Sequence, residues 1–277
     1  MKILLISPYF GKLPWYFKYF IHCCKYNPQI NFLILSDDKN HYTVLPKNVS
    51  LLYYTFDEFK NLIAERLKMK VAIPNSYKLC DYRPAYGLIF QKYLRNYTFW
   101  GTIDIDVVFG NIGRFITKSI LNANDVISTR PEYISGFFSL YRNTESVNNL
   151  FKKSKDYELI FSRGDYTGFD ECGLLCDDLL QGKDLSQVNS NIESMTHLIK
   201  KMQRDGSIRS YFDLHVVEST PGNIHWNRGR LSYLDSYEIL LYHLISFKVH
   251  PNLQIPVWDN IPNKFSINES SFSKYTN

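Results

Sequence analysis

Two continuous apolar runs near the N-terminus, Lys2–Ser7 (KILLIS) and Ile30–Ser36 (INFLILS), constrain the fold of this chain more than any other feature. A strand with one wet face alternates apolar and polar residues. A run without alternation needs cover on both faces. Between the runs, Trp15–Tyr26 reads as an aromatic-rich helix ended by Asn27-Pro28. Strand, helix and strand in this order predict a parallel sheet with helices on both sides. Val49–Tyr54 reads as a third strand and Asp57–Met69 as an amphipathic helix. At 277 residues and 45% hydrophobic content, the chain can bury a full core. Ligands of open α/β sheets sit beyond the carboxyl ends of strands. That rule makes the loop with Pro8, Tyr9 and Phe10, and the loop Ser36–Lys39, candidate nucleotide contacts.

The second constraint is WGTIDIDVVFGNIGR, Trp100–Arg114. Asp104 and Asp106 flank Ile105 within an apolar segment, and on an extended chain their side chains share one side. Two carboxylates in an apolar strand need an offset: a strand end opening into a cleft, a bound cation, or both. Hard oxygen ligands suit Mg²⁺ or Mn²⁺, which complete their coordination with phosphate and water. The expectation is a metal–diphosphate site. Just upstream, YKLCDYRPAYG (Tyr77–Gly87) leads into a helix over Leu88–Asn96. Lys78 and Arg83 are suited to gripping a diphosphate, one as a point charge and the other as a fork of donors. Asp81 is suited to holding either cation, or a base or ribose group.

Other function classes are disfavoured. The net charge of +5 comes without a basic block, so no nucleic-acid partner is expected, while an anionic membrane surface stays open. MKILLISPYF lacks the apolar core of a signal peptide and reads as the first strand of a cytoplasmic protein. Five cysteines, with Cys23-Cys24 adjacent and Cys172 and Cys176 four apart, give neither a disulfide framework nor a zinc pattern.

A Lys-x-x-Asp-x-Arg run, a helix and a strand ending in Asp-x-Asp together resemble glycosyltransferases of the GT-A fold. The pattern is similar to the region around the DxD motif of glycosyltransferase family 32. It also resembles small glycosyltransferase-like proteins of bacterial polysaccharide and lipopolysaccharide loci, where PYFGKLP, YKLCDYRPAYG and FWGTIDIDVVFG look like hallmarks. The resemblance is close over the first half and loose beyond. It implies a GT-A-like (Rossmann-like) α/β fold, a mixed and mainly parallel sheet with helices on both faces. It also implies Mn²⁺ (or Mg²⁺) on Asp104 and Asp106, with Ile105 on the donor side. In such enzymes a strand like Ile134–Tyr141 floors the sugar pocket, and Gly136 lets a ligand approach the backbone. Asp170 and Glu171 in YTGFDEC resemble the acidic pair near the acceptor hydroxyl, where a carboxylate serves as general base. The same pair also fits a helix start, with Asp170 as the cap. In LLYHLISFKVHP, His243 and Lys248 resemble a C-terminal His…Lys element that supplies a third metal ligand and a phosphate contact. His215, His225 and His250 stand behind His243.

The expected organisation is one domain over residues 1–277, with a nucleotide-sugar and metal half (1–130), an acceptor half (131–252) and an irregular tail (253–277). The expected function is transfer of a sugar from a nucleotide-sugar donor, a UDP-sugar first, to a glycan or lipid-linked saccharide in bacterial surface polysaccharide synthesis. The location would be cytoplasmic, with room for association with the inner face of the plasma membrane. The alternatives are a nucleotidyl- or phosphotransferase, which the same carboxylates serve, or a non-catalytic nucleotide- or glycan-binding protein on a degenerate GT-A fold.

Overall fold

The computed structural model describes residues 1–39, 44–218, 222–258 and 260–274. In chain order the first strands are β1 (Ile3–Pro8), β2 (Ile30–Ser36), β3 (Val49–Tyr53), β4 (Phe99–Ile103) and β5 (Val107–Phe109). After them come β6 (Val126–Ser128), β7 (Phe138–Arg142), β8 (Ser210–Phe212), β9 (Val216–Glu218) and β10 (Ile224–Asn227). The last are β11 (Arg230–Tyr233), β12 (Tyr237–Glu238), β13 (Leu241–His243), β14 (Lys264–Ile267) and β15 (Phe272–Lys274). A seven-stranded sheet runs β3-β2-β1-β4-β7-β6-β8. Strands β3, β2, β1 and β4 are mutually parallel, β7 is antiparallel to its neighbours, and β6 pairs parallel with β8. The protein is thus a mixed α/β fold with a mainly parallel central sheet flanked by helices.

The apolar runs have the two covered faces that their lack of alternation demands. Ile3 and Leu5 of β1, with Phe32 and Ile34 of β2, pack into one core with Phe17 and Phe20 of helix α1 (Phe17–Lys25). Leu4, Ile6, Leu33 and Leu35 face the other way, onto Phe59 and Ile63 of helix α2 (Phe56–Leu67). Helix α2 starts at a full capping box, in which Thr55 takes the Glu58 N–H and Glu58 takes the Thr55 N–H. The segment Ser76–Ala85, expected as a charged lead-in to a helix, is itself a 3₁₀ helix, followed by the short helices Tyr86–Ile89 and Gln91–Leu94. Pro84, which has no N–H to donate, lies within it.

Two smaller sheets are formed among the described residues. One is β5-β13-β9, and the other is the antiparallel β12-β11-β10-β14-β15. Strands β10 and β11 form a hairpin with Asn227 opposite Arg230. Trp226 in this hairpin is buried, stacked on Phe265 with its indole N–H donating to Phe109 O. The expected irregular tail is corrected here: β14 and β15 belong to this sheet, and Phe265 and Phe272 pack on Tyr19 of α1. Prolines and Ser/Asn-rich composition hid two short strands whose apolar residues close the first core. Residues 259 and 275–277 lie outside the described residues. Among the described residues, no helix is long and apolar enough to cross a membrane.

Candidate active site

The sheet order itself creates the crevice. From β1 the chain moves through α1 to β2 and then β3, all on one side of β1, and returns to the other side at β4. The loops leaving β1 and β4 therefore diverge, and such a switch point is where open α/β sheets bind ligands. Pro8, Tyr9 and Phe10 leave β1 here, and Asp104, Ile105 and Asp106 leave β4. Together with Arg83 and Lys248 they line a cavity of about 260 Å³.

The two aspartates do not lie within one strand. Strand β4 ends at Ile103, the chain turns through Asp104–Asp106, and Val107 enters a different sheet. Asp104 N–H donates to Phe137 O, and Leu244 N–H donates to Asp106 O, so each end of the turn is stitched to a neighbour. Ile105 buries its side chain in the core beneath. This burial, rather than strand alternation, sends both carboxylates to the open side. Asn27, at the end of α1, ties the exit of the segment: its amide donates to Gly110 O at 2.9 Å and accepts from Ile112 N–H at 2.8 Å.

Strand β13, paired antiparallel with β5, sets His243 opposite Val107. One ligand atom each from Asp104, Asp106 and His243 lies within 4.8 Å of the others, a cluster able to hold a metal ion. Two carboxylate oxygens and an imidazole nitrogen form a donor set that fits a divalent cation such as Mn²⁺ or Mg²⁺. The His243 ring stands between two acids, with Nδ1 at 2.7 Å from Glu218 Oε1 and Nε2 at 3.4 Å from Asp106 Oδ1. Burial by itself would lower the pKa of His243, but these acids outweigh it and raise it to about 9. A cation at the triad must then displace a proton from the ring. Glu218 is held in turn by the Arg130 guanidinium. Such outer partners fix the tautomer and direction of a ligating histidine. Neither Glu218 nor Arg130 was expected from the sequence, since a lone Glu at a short strand end carries no signal. The triad draws its ligands from both expected halves of the chain.

Lys248, on the 3₁₀ turn Phe247–Val249, reaches Asp106 Oδ2 at 2.5 Å. Burial opposes ionisation of Asp106, yet His243 and Lys248 win and hold its pKa below the usual carboxylate range. Arg83 bridges two acids, donating from Nη2 to Asp104 Oδ1 at 2.5 Å and from Nη1 to Asp170 Oδ2 at 3.1 Å. Asp170 and Glu171 lie in a turn and start no helix, which corrects the capping alternative; the next helix begins at Cys176. Burial pushes the pKa of Asp170 well up, and that of Glu171 up as well. Among the described residues, Asp170 Oδ1 is buried without a hydrogen-bond partner. Gly136 donates its N–H to Glu171 Oε1 at 2.7 Å. A Cβ there would overlap the Arg83 guanidinium and come within 2.6 Å of Asp170 Oδ2. The close approach expected at Gly136 therefore serves this charged cluster.

Lys78 and Asp81 lie away from the cavity, with both side chains fully buried. The three protons of Lys78 go to Asp81 Oδ2, Ile160 O and Asp165 O. Asp81 also accepts from Thr167 N–H, Thr167 Oγ1 and Phe169 N–H. No polar atom of either is left to meet a diphosphate or a ribose, so the pair instead pins the 165–169 loop that leads into Asp170. Asp37 and Asp38 likewise accept from Gly11 and Leu13 N–H and shape the loop after β1. Of the other histidines, His225 bonds Ser266 and His215 packs on Phe115.

Fold and site together define a mixed α/β protein with a candidate divalent-cation triad at the switch point of its central sheet. The chain belongs to the family described as a family of unknown function (DUF6625), whose profile matches residues 5–276. No curated protein matches it in sequence. Among solved structures it is similar to apo mouse xyloside xylosyltransferase 1, with a TM-score of 0.43 and 8% identity over 79% of this chain and 88% of that one.

Proposed function

We propose that the protein is a metal-dependent glycosyltransferase. It would move a sugar from a nucleoside-diphosphate donor, a UDP-sugar first, to a glycan or lipid-linked saccharide in bacterial surface polysaccharide synthesis. The observation that carries this reading is a single guanidinium, Arg83, standing between two unlike acid sites. On one side are the candidate ligands Asp104, Asp106 and His243; on the other is a buried Asp170 with one oxygen unpartnered among the described residues. Transfer from a diphosphate is served by that pair of environments: one to neutralise the leaving group and one suited to take a proton from the acceptor.

In this reading the walls formed by Pro8, Tyr9, Phe10 and Ile105 receive the donor, and Arg83 and Lys248 offset its negative charge. A Mn²⁺ or Mg²⁺ ion held by Asp104, Asp106 and His243 would supply further neutralisation of the departing diphosphate. Asp170 Oδ1 accepts the proton of the attacking hydroxyl, and burial makes it a stronger base than a solvated carboxylate. Glu171, fixed by the Gly136 amide, orients the acceptor. The whole chain acts as one unit, since the proposed donor side needs His243 and Lys248 from its later half. A cytoplasmic site near the inner face of the plasma membrane suits a lipid-linked acceptor.

Calorimetric titration with UDP, GDP and CMP, with and without Mn²⁺, tests the donor side on wild type and Asp106→Ala. Metal-dependent binding of one diphosphate, lost in the variant, is the expected result. Absence of binding to all three, with metal or without, would remove the catalytic reading.

A further inference from the structure

Directly after the acidic pair, the chain places two thiols against each other. Cys172 Sγ and Cys176 Sγ are 3.1 Å apart, the first fully buried and the second half-buried. They sit in a small apolar cluster of their own with Tyr133 and Leu179, apart from the two large cores. The backbone brings them together by reversing at Gly173 and Leu174, with φ of +72° and +67°, while Gly173 N–H closes on Gly168 O at 2.9 Å. Leu174 is not a glycine, and a left-handed residue of that kind is uncommon. A disulfide needs sulfurs about 2.05 Å apart, so an approach of about 1 Å would join them.

The two thiols are unequal. The hydrogen bond with Cys172 lowers the pKa of Cys176, assisted by Tyr133, while the same bond and burial raise that of Cys172. Cys176 is also the more accessible of the two, so it is the thiolate an oxidant meets first. Cys172 adjoins Glu171, whose carboxylate takes the Gly136 N–H and whose carbonyl takes Thr196 Oγ1 at 2.6 Å.

We propose that Cys172 and Cys176 form a reversible dithiol–disulfide modification site whose oxidation displaces the adjoining Asp170–Glu171 turn. With hydrogen peroxide as oxidant, the Cys176 thiolate attacks one peroxide oxygen. The O–O bond breaks, and the departing hydroxide takes a proton to become water. The Cys172 sulfur then attacks the Cys176 sulfenic acid. The S–O bond breaks, and the hydroxyl leaves as water with the Cys172 proton. Two thiols and one peroxide thus give one disulfide and two waters, and a dithiol reductant reverses the change.

The test uses the full chain, reduced and then treated with one equivalent of hydrogen peroxide. Intact mass should fall by about 2 Da as two hydrogens leave, and dithiothreitol should restore it. Peptide mapping should link 172 to 176, and Cys176→Ser should lose no mass. Hydrogen exchange at the Gly136 amide should quicken by about tenfold as Glu171 is drawn off it. The transfer rate, an arm that rests on the glycosyltransferase reading, should fall about tenfold or more, because small displacements of positioned groups carry such costs. The double variant Cys172→Ser/Cys176→Ser should resist both effects. No mass loss, or the same loss in Cys176→Ser, overturns the site. A disulfide that leaves Gly136 exchange unchanged overturns its coupling to the acids. Mass and exchange are read without any turnover, so the thiol site stands or falls independently of the glycosyltransferase reading.

Discussion

One ten-residue 3₁₀ helix, Ser76–Ala85, carries two charged groupings of similar composition and opposite character. Lys78 and Asp81 form a sealed pair in which every donor proton and acceptor site of the side chains is used within the protein. Arg83 lines the cavity and joins Asp104 to Asp170, and its partner Asp170 keeps one oxygen unpartnered among the described residues. Saturation separates the two. A buried charge whose hydrogen bonds are complete holds structure, whereas a buried charge left incomplete is poised for a ligand. The two are connected, because the sealed pair fixes the 165–169 loop from which Asp170 emerges.

The largest expected effect breaks the sealed side. Asp81→Ala leaves the Lys78 ammonium buried with a partner missing and frees the Thr167 and Phe169 amides. It should cost about 3–5 kcal/mol of unfolding free energy, read from urea denaturation. A loss below about 1 kcal/mol would show that the pair is not the brace its hydrogen bonds indicate. Next comes Arg83→Ala, for which the contrast predicts a split. On the proposed glycosyltransferase reading, sugar transfer should fall about 10²–10³-fold, the scale for losing a positioned donor, while the stability loss stays well below that of Asp81→Ala. Equal stability losses in the two variants would erase the distinction.

The smallest effect sharpens the comparison through pH. Burial raises the pKa of Asp170 above its unfolded value, so the folded state binds this proton more tightly than the unfolded chain does. The associated stability is fully present below the ordinary carboxylate range and is lost as pH rises through the folded pKa. Asp170→Asn cannot lose it. The thermal midpoint of this variant should therefore gain on wild type as pH rises from acid to neutral. Parallel midpoint curves for the two proteins would mean that Asp170 is not held against its ionisation.

Much of the fold follows from local pattern. Runs without alternation at β1 and β2 demanded cover on both faces, and helices α1 and α2 supply it. The Thr55 capping box and the two-residue turn between Asn227 and Arg230 are likewise local, set by residues within a few positions of each other. The late strands β14 and β15 escaped because their reason to exist is distant: Phe265 and Phe272 are strand residues by virtue of packing on Tyr19. The site divides the same way. Asp104 and Asp106 were legible because two carboxylates in an apolar segment need a physical excuse. Glu218 and Arg130 were not, because their importance comes only from standing behind His243.

Taken alone, the sequence determined which segments must be buried and that a pair of carboxylates sits at the end of the β4 segment. Those properties depend on side-chain chemistry and on neighbours a few residues away. Only the tertiary structure decided which charges meet. It sealed Lys78 against Asp81, set Arg83 between Asp104 and Asp170, placed His243 beside Asp106, and brought Lys248 to the same carboxylate across 142 positions of chain. A linear pattern fixes what each residue can do. Burial and hydrogen-bond saturation, which settle what it does, are properties of surroundings that exist only once the chain has folded.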